Sequence, residues 1–258
     1  MSSQDITVSI ENDIILRVTV NRPEKRNALS RTILKNLGEI FDDHSHNENL
    51  RVAILSGAGD KSFAAGGDLK DLSVLRTLDD ARGLANLAKK ALNSVRNFPV
   101  PVIAALNGGA MGGGAELAAA CDFRISAQHA RIGFVQGRLN ISTAWGGGVD
   151  LMRLVGPSTA LDLLCRSSML TAEEALAIGL IDRIAEDGEE LDHCVTNFLQ
   201  PYLLQVPQVL RAFKALAIGA RQGLQRAEMD EIETDKFAGT WVHDDHWAAA
   251  DNVLAKGK

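Results

Sequence analysis

The chain has 258 residues, 46% hydrophobic and 23% charged, with a net charge of −6. That length suits one large α/β domain, or a domain with a helical appendage, and the acidic balance argues against nucleic acid, whose phosphates need clustered Lys and Arg. No apolar run reaches the roughly 18 residues of a membrane span, and the N-terminus, polar through Glu11, lacks a basic-then-apolar leader, so a cytoplasmic location off the membrane is expected.

Residues 14–20 and 51–55 are apolar, β-branched runs bounded by turn residues, as in strands buried in a sheet. Between them Ser30 can cap a helix on which Ile33, Leu34, Leu37, Ile40 and Phe41 share one face. The pattern predicts further strands over 102–106 and 123–127, with a helix over 84–97 between the second and third strands. Strand and helix in alternation imply an α/β fold with parallel pairing. Thr171 and Glu174 have capping-box spacing and open a short helix over 172–178 that Gly179 stops. Helical patterns over 191–204, 207–219 and 224–238 follow, which divides the chain into a core (1–190) and a helical C-terminal module (191–258) that packs on the core or a neighbouring subunit.

Cys121, Cys165 and Cys194 lie in apolar contexts without zinc-ligand spacing; they read as reduced core residues, and no metal site is expected. His129, His243 and His246 lack evident partners and read as surface or oligomer-contact residues. No Ser/His/Asp arrangement points to a serine hydrolase.

Two glycine-rich turns carry the chemistry. Met111-Gly112-Gly113-Gly114-Ala115-Glu116 follows the strand at 102–106 and puts one carboxylate just after three glycines at a helix start. Glycine lets another molecule approach the main chain, and the first-turn N–H groups of a helix stabilise negative charge. The other reading is a plain turn before a buried Ala-rich helix. Residues 57–69, ending Ala65-Gly66-Gly67-Asp68-Leu69, again run glycine into a helix start; alone they read equally as an exposed turn with Asp68 as N-cap. Together the turns suit an oxyanion hole, in which each N–H donor is typically worth about 10²–10³ in rate.

With Asn21-Arg22-Pro23-Glu24-Lys25-Arg26-Asn27-Ala28-Leu29, residues 63–69, 107–122 and 172–182 in this order, the chain resembles the crotonase (enoyl-CoA hydratase/isomerase) superfamily nearly end to end. The resemblance implies an α/β spiral of repeated ββα units with a helical C-terminal oligomerisation module. It also implies a homotrimer or a hexamer built as a dimer of trimers, an acyl-CoA thioester as substrate, and no cofactor beyond the CoA of that substrate. Gly67 and Gly113 then hold the thioester oxygen as an enolate forms, and Glu116 handles the proton. The loop at Arg26-Asn27-Ala28-Leu29 is similar to one that wraps CoA, with Lys25 or Arg26 either meeting phosphates or remaining a solvated turn charge. Substrate contacts are implied at Lys25, Arg26, Ala28, Ala65, Asp68, Leu69, Gly112, Arg138 and Trp145.

The pattern departs from the two-glutamate hydratases of this superfamily, because their second glutamate position falls on Gln136. An amide cannot serve as general base, although it can orient water or substrate. Residues 134–147 are similar to the corresponding loop of alkylmalonyl-CoA decarboxylases, as are residues 120–124, Thr240-Trp241 and the tail Lys256-Gly257-Lys258; the basic residues expected near Gln136 stand elsewhere. That likeness implies decarboxylation. The departing carboxylate sits in an apolar pocket, and Glu116 delivers the proton, its pKa raised by Leu117, Ala118 and Trp145. Arg138 either holds that carboxylate or is a surface arginine; Trp145 is either a pocket wall or a packed core aromatic. The alternatives are an enoyl-CoA hydratase or isomerase working through Glu116 alone, and a CoA-binding scaffold without catalysis.

Overall fold

The computed structural model describes residues 5–256. It opens on an antiparallel hairpin of β1 (Ile6–Glu11) and β2 (Ile15–Val20), turned through Asn12 and Asp13 at positive φ, which such side chains tolerate. The helix α1 (Arg31–His44) follows, and the Ile33 N–H donates to the Ser30 hydroxyl 3.3 Å away, the expected cap.

Three more ββα units succeed it. The first comprises β3 (Val52–Gly57), β4 (Ser62–Ala64), the short α2 (Leu69–Leu72) and α3 (Leu78–Arg96). The second is β5 (Val102–Leu106), β6 (Gly109–Met111) and α4 (Gly113–Ala120). The third is β7 (Phe123–Ser126), β8 (Arg131–Gly133), a 3-10 turn at Gln136–Leu139 and α5 (Gly147–Val155). Then come α6 (Pro157–Arg166), β9 (Leu170–Thr171), α7 (Ala172–Ala177) and β10 (Arg183–Ile184). The first strands of these three units lie in a six-stranded sheet ordered β1-β2-β3-β5-β7-β10, and the second strands in a four-stranded sheet ordered β4-β6-β8-β9. Because β4 and β6 pair in parallel, Ser62 beside Gly109 and Ala64 beside Ala110, the glycine turns that follow them leave the sheets side by side.

Alternating side chains give the large sheet two apolar faces. Leu16, Val18, Leu55 and Leu106 pack with Leu34, Leu37 and Phe41 of α1 and Leu92 of α3. On the other face Val52, Ile54, Ile103 and Ile125 cluster with Val195 and Leu199 of α8 (Leu191–Leu203). The next helix, α9 (Pro207–Gln222), is tied to the body by Lys214 and Arg221, both paired with Asp122. No residue of α10 (Arg226–Trp241) or α11 (Asp244–Lys256) is buried.

Several expectations need correction. The third helix starts at Leu78 instead of residue 84, because Thr77 and Asp80 form a capping box inside a polar stretch that hides the start. Strands of two or three residues, β4, β6, β8, β9 and β10, are too short to show periodicity, and α5, α6 and α11 add to the expected helices. Cys165 is exposed, whereas Cys121 and Cys194 are buried: α6 turns only Ala160 fully inward. His129 and His243 are exposed, as read, but each has a partner brought in by the fold: His129 Nε2 lies 2.8 Å from the Asp60 carbonyl, and His243 Nδ1 lies 3.1 Å from Gln208 Nε2. Thr171 and Glu174 form the expected reciprocal cap. Gly257 and Lys258 of the tail lie outside the described residues. Among the described residues no helix is long and apolar enough to cross a membrane, and no group of three His, Cys, Asp or Glu is placed to hold a metal ion.

Candidate active site

The turn after β4 is stitched to Leu29, whose N–H donates to the Gly66 carbonyl (2.8 Å) and whose carbonyl accepts from the Asp68 N–H (3.0 Å). Gly66 takes φ +90° and Gly112, after β6, takes φ +54°, conformations that favour glycine. The two turns touch: a Cβ on Gly66 would lie 2.9 Å from the Met111 carbonyl oxygen and 3.4 Å from the Gly113 nitrogen. Among the described residues neither the Gly67 nor the Gly113 N–H donates a hydrogen bond, and both glycines line one cavity of about 580 Å³. Two unengaged N–H donors on adjoining turns, one of them at the start of α4, can stabilise a developing oxyanion.

Glu116 projects from the first turn of α4 and is only 2% exposed. Its Oε1 accepts from the Trp145 N–H (2.9 Å) and the Gly147 N–H (3.1 Å), and its Oε2 accepts from Gln136 Nε2 (2.9 Å). Burial pushes its pKa up; the three hydrogen bonds and the Arg96 cation pull it back, and the balance stays above the ordinary glutamate value. The direction is the expected one, but the groups nearest the carboxylate are polar N–H donors, beside the apolar neighbours anticipated. Gly147 makes its N–H available by close approach, since a Cβ there would sit 2.5 Å from Glu116 Cβ.

Trp145 is both pocket wall and packed aromatic. It is 6% exposed, lines the cavity, and lays its indole on the glycine turns: a Cβ on Gly113 would come within 2.5 Å of Trp145 Cη2, and one on Gly67 within 3.8 Å. Leu69, Leu72, Leu75, Leu84, Val135 and Ile141 make the remaining wall largely apolar, and Glu116 is the only ionisable residue lining it among the described residues. Gln136 also lines it, with Oε1 buried and without a hydrogen-bond partner.

Of the other residues implied by resemblance, Ala65, Leu69 and Gly112 line the cavity. Asp68 does not: its carboxylate caps α2 and pairs with Arg22 at 3.0 Å. Arg138 does not either, being exposed on the 3-10 turn with Nε donating to the Ser167 carbonyl (2.9 Å), as for a surface arginine. Arg26 lines a separate cavity of about 240 Å³ with Gly59, Asp60 and Lys61; Lys25 is exposed, and the Ala28 carbonyl accepts from Arg22 Nη1 (2.7 Å). Asn27, unmarked as a site residue by the sequence, clamps this loop: fully buried at φ +55°, it donates to the Ala58 and Ser62 carbonyls (3.0 and 2.6 Å) and accepts from the Arg22 N–H (3.0 Å). Arg96, Asp150, Leu72 and Leu75 also surround the site, and no local signal in the sequence marks them.

The sequence matches the family model for enoyl-CoA hydratase/isomerase over residues 10–255. It is 33% identical to the crotonyl-CoA hydratase of Syntrophomonas wolfei, over 100% of this chain and 98% of that protein. It is 32% identical to the ethylmalonyl-CoA decarboxylase of Xenopus tropicalis, over 88% of this chain and 76% of that protein. An enoyl-CoA hydratase from Bacillus anthracis has a solved structure with TM-score 0.90 and 30% identity, covering 98% and 97% of the two chains. The fold and the match together define an enzyme of acyl-CoA thioesters. The chain belongs to the enoyl-CoA hydratase/isomerase family, the crotonase superfamily.

Proposed function

We propose that this enzyme decarboxylates a short alkylmalonyl-CoA. The observation that carries the reading is Gln136, hydrogen-bonded to Glu116 at 2.9 Å in a cavity that no second carboxylate lines among the described residues. The likeness to a protein named ethylmalonyl-CoA decarboxylase supports it. With the thioester oxygen between the Gly67 and Gly113 N–H groups, the substrate carboxylate lies against apolar wall that no cation lines among the described residues. Poor solvation there raises the energy of the carboxylate relative to the transition state, in which its charge moves to the oxyanion donors. The bond from the carboxylate carbon to the α-carbon breaks, its electron pair passes into the enolate, and CO₂ leaves. Protonated Glu116 then gives its proton to the α-carbon and is reprotonated from solvent. A raised pKa suits this acid role, and a neutral Glu116 does not repel the substrate carboxylate. Mass spectrometry of ethylmalonyl-CoA and methylmalonyl-CoA incubated with the enzyme is expected to show loss of CO₂; both thioesters unchanged would rule the reading out.

A second reading, hydration or double-bond isomerisation by Glu116 alone, draws support from the unpartnered Gln136 Oε1, which can accept a hydrogen bond from a water, and from the hydratase names among the relatives. It predicts loss of the enoyl absorbance of crotonyl-CoA, abolished in Glu116→Gln. Turnover of any of these thioesters would exclude a non-catalytic scaffold. CoA belongs to the substrate, and the reading calls for no other cofactor. The unpaired cysteines suit a reducing compartment, here the cytoplasm. Exposed Phe237, Trp241 and Trp247 on α10 and α11 support assembly of module 191–258 into a homotrimer or hexamer, which light scattering would measure.

A further inference from the structure

Arg96 stands in the last turn of α3, 9% exposed, and does not line the main cavity. Its guanidinium is committed in three directions: Nε to Asp150 Oδ2 (2.7 Å), Nη1 to Asn93 Oδ1 (2.9 Å) and Nη2 to the Trp145 carbonyl (3.0 Å). Asp150, on α5, is itself 6% exposed. The residue whose carbonyl Arg96 holds is also the residue whose N–H meets Glu116 Oε1. Gly146, at φ +95°, bends the chain so that the flanking Trp145 and Gly147 N–H groups converge on one oxygen, an anion-binding concavity. A Cβ on Gly146 would lie 2.7 Å from Arg96 Nη2. The turn is therefore held between the guanidinium on one side and the Glu116 carboxylate on the other.

We propose that Arg96, itself fixed by Asp150, is a positioning residue that holds the Trp145-Gly146-Gly147 turn against Glu116 and so sets how that carboxyl group meets the substrate. The inference rests on Glu116 being the proton-transfer group. The charges involved come from separate elements: Arg96 on α3 faces Glu116 through the turn, Asp150 on α5 offsets Arg96, and Gln136, on the remaining side, is uncharged. Removing the cation therefore moves the Glu116 titration to higher pH, and neutralising Asp150 moves it to lower pH.

The test uses the full chain with Arg96→Met, Arg96→Lys and Asp150→Asn. NMR of ¹³C-carboxyl glutamate, with Glu116→Gln assigning the resonance, reads the Glu116 titration without substrate. The midpoint is expected to rise in Arg96→Met, to stay nearer wild type in Arg96→Lys and to fall in Asp150→Asn. With a thioester that the wild type turns over, kcat is expected to drop by up to about 100-fold in Arg96→Met with KM little changed, and Lys to restore part of it. The pH limb that reports Glu116 moves with the NMR midpoint whether the group acts as acid or as base. A folded Arg96→Met with wild-type titration and kcat overturns the proposal. If that variant does not fold, an unmoved titration in Asp150→Asn overturns it. A wild type inert towards every thioester would defeat the functional reading alone, because the titration still tests the positioning.

Discussion

Gln136 Nε2 donates to Glu116 Oε2 at 2.9 Å, so the side chain that meets this oxygen is an amide and not a second carboxyl group. Gln136→Glu sets two carboxyl groups at hydrogen-bonding distance, where like charge keeps one of them protonated. The expected outcome is a gain in crotonyl-CoA hydration, followed by enoyl absorbance, and a fall in decarboxylation, followed by mass spectrometry. Glu116→Gln should lower either activity by about 10²–10⁴-fold.

The glycine turns should respond unequally to an added methyl. On Gly113 a Cβ meets the rigid indole of Trp145, whereas on Gly67 it meets Leu72 Cδ1 at 2.7 Å, the movable end of a side chain. Gly113→Ala is therefore expected to cost about 1–3 kcal/mol in urea denaturation, and Gly67→Ala less. Adding Trp145→Leu to Gly113→Ala should recover part of the loss, so that the pair is non-additive.

Glu116 also predicts a pH dependence of stability. Burial, the largest influence, raises its folded-state pKa, so its contribution is full below the ordinary glutamate pKa and is lost as pH rises through the folded value. Relative to wild type, Glu116→Gln should gain stability across that interval and level off above it. Denaturation midpoints at a series of pH values check this; a gap independent of pH contradicts it.

Thiol reactivity should separate the cysteines. Burial pushes the Cys121 pKa up to about 12 and also raises that of Cys194, whereas Cys165 is exposed. A disulfide reagent should label one thiol per native chain and all three in denaturant. Cys165→Ser should abolish the native signal.

What was legible in the chain lay within a few residues of itself. Ser30 and Thr171 announce their caps because a cap bonds an N–H three positions on, and Gly112 precedes Glu116 by one helical turn. Asp68 allowed two readings, and its carboxylate proves to be a cap paired with Arg22. The short strands and α11 stayed hidden because too few residues alternate, or because no buried face marks the helix.

The sequence by itself determined the α/β class, both glycine turns and the carboxylate of Glu116 one helical turn after Gly112, since residue identity and local spacing suffice for these. Only the tertiary structure decided what Glu116 touches. The Trp145 and Gly147 N–H groups reach it from 29 and 31 residues away, and the Trp145 carbonyl rests on Arg96, 49 residues distant. Backbone N–H and C=O groups are common to nearly every residue, so no sequence pattern marks which of them will converge; parallel strand pairing and the bend at Gly146 do that.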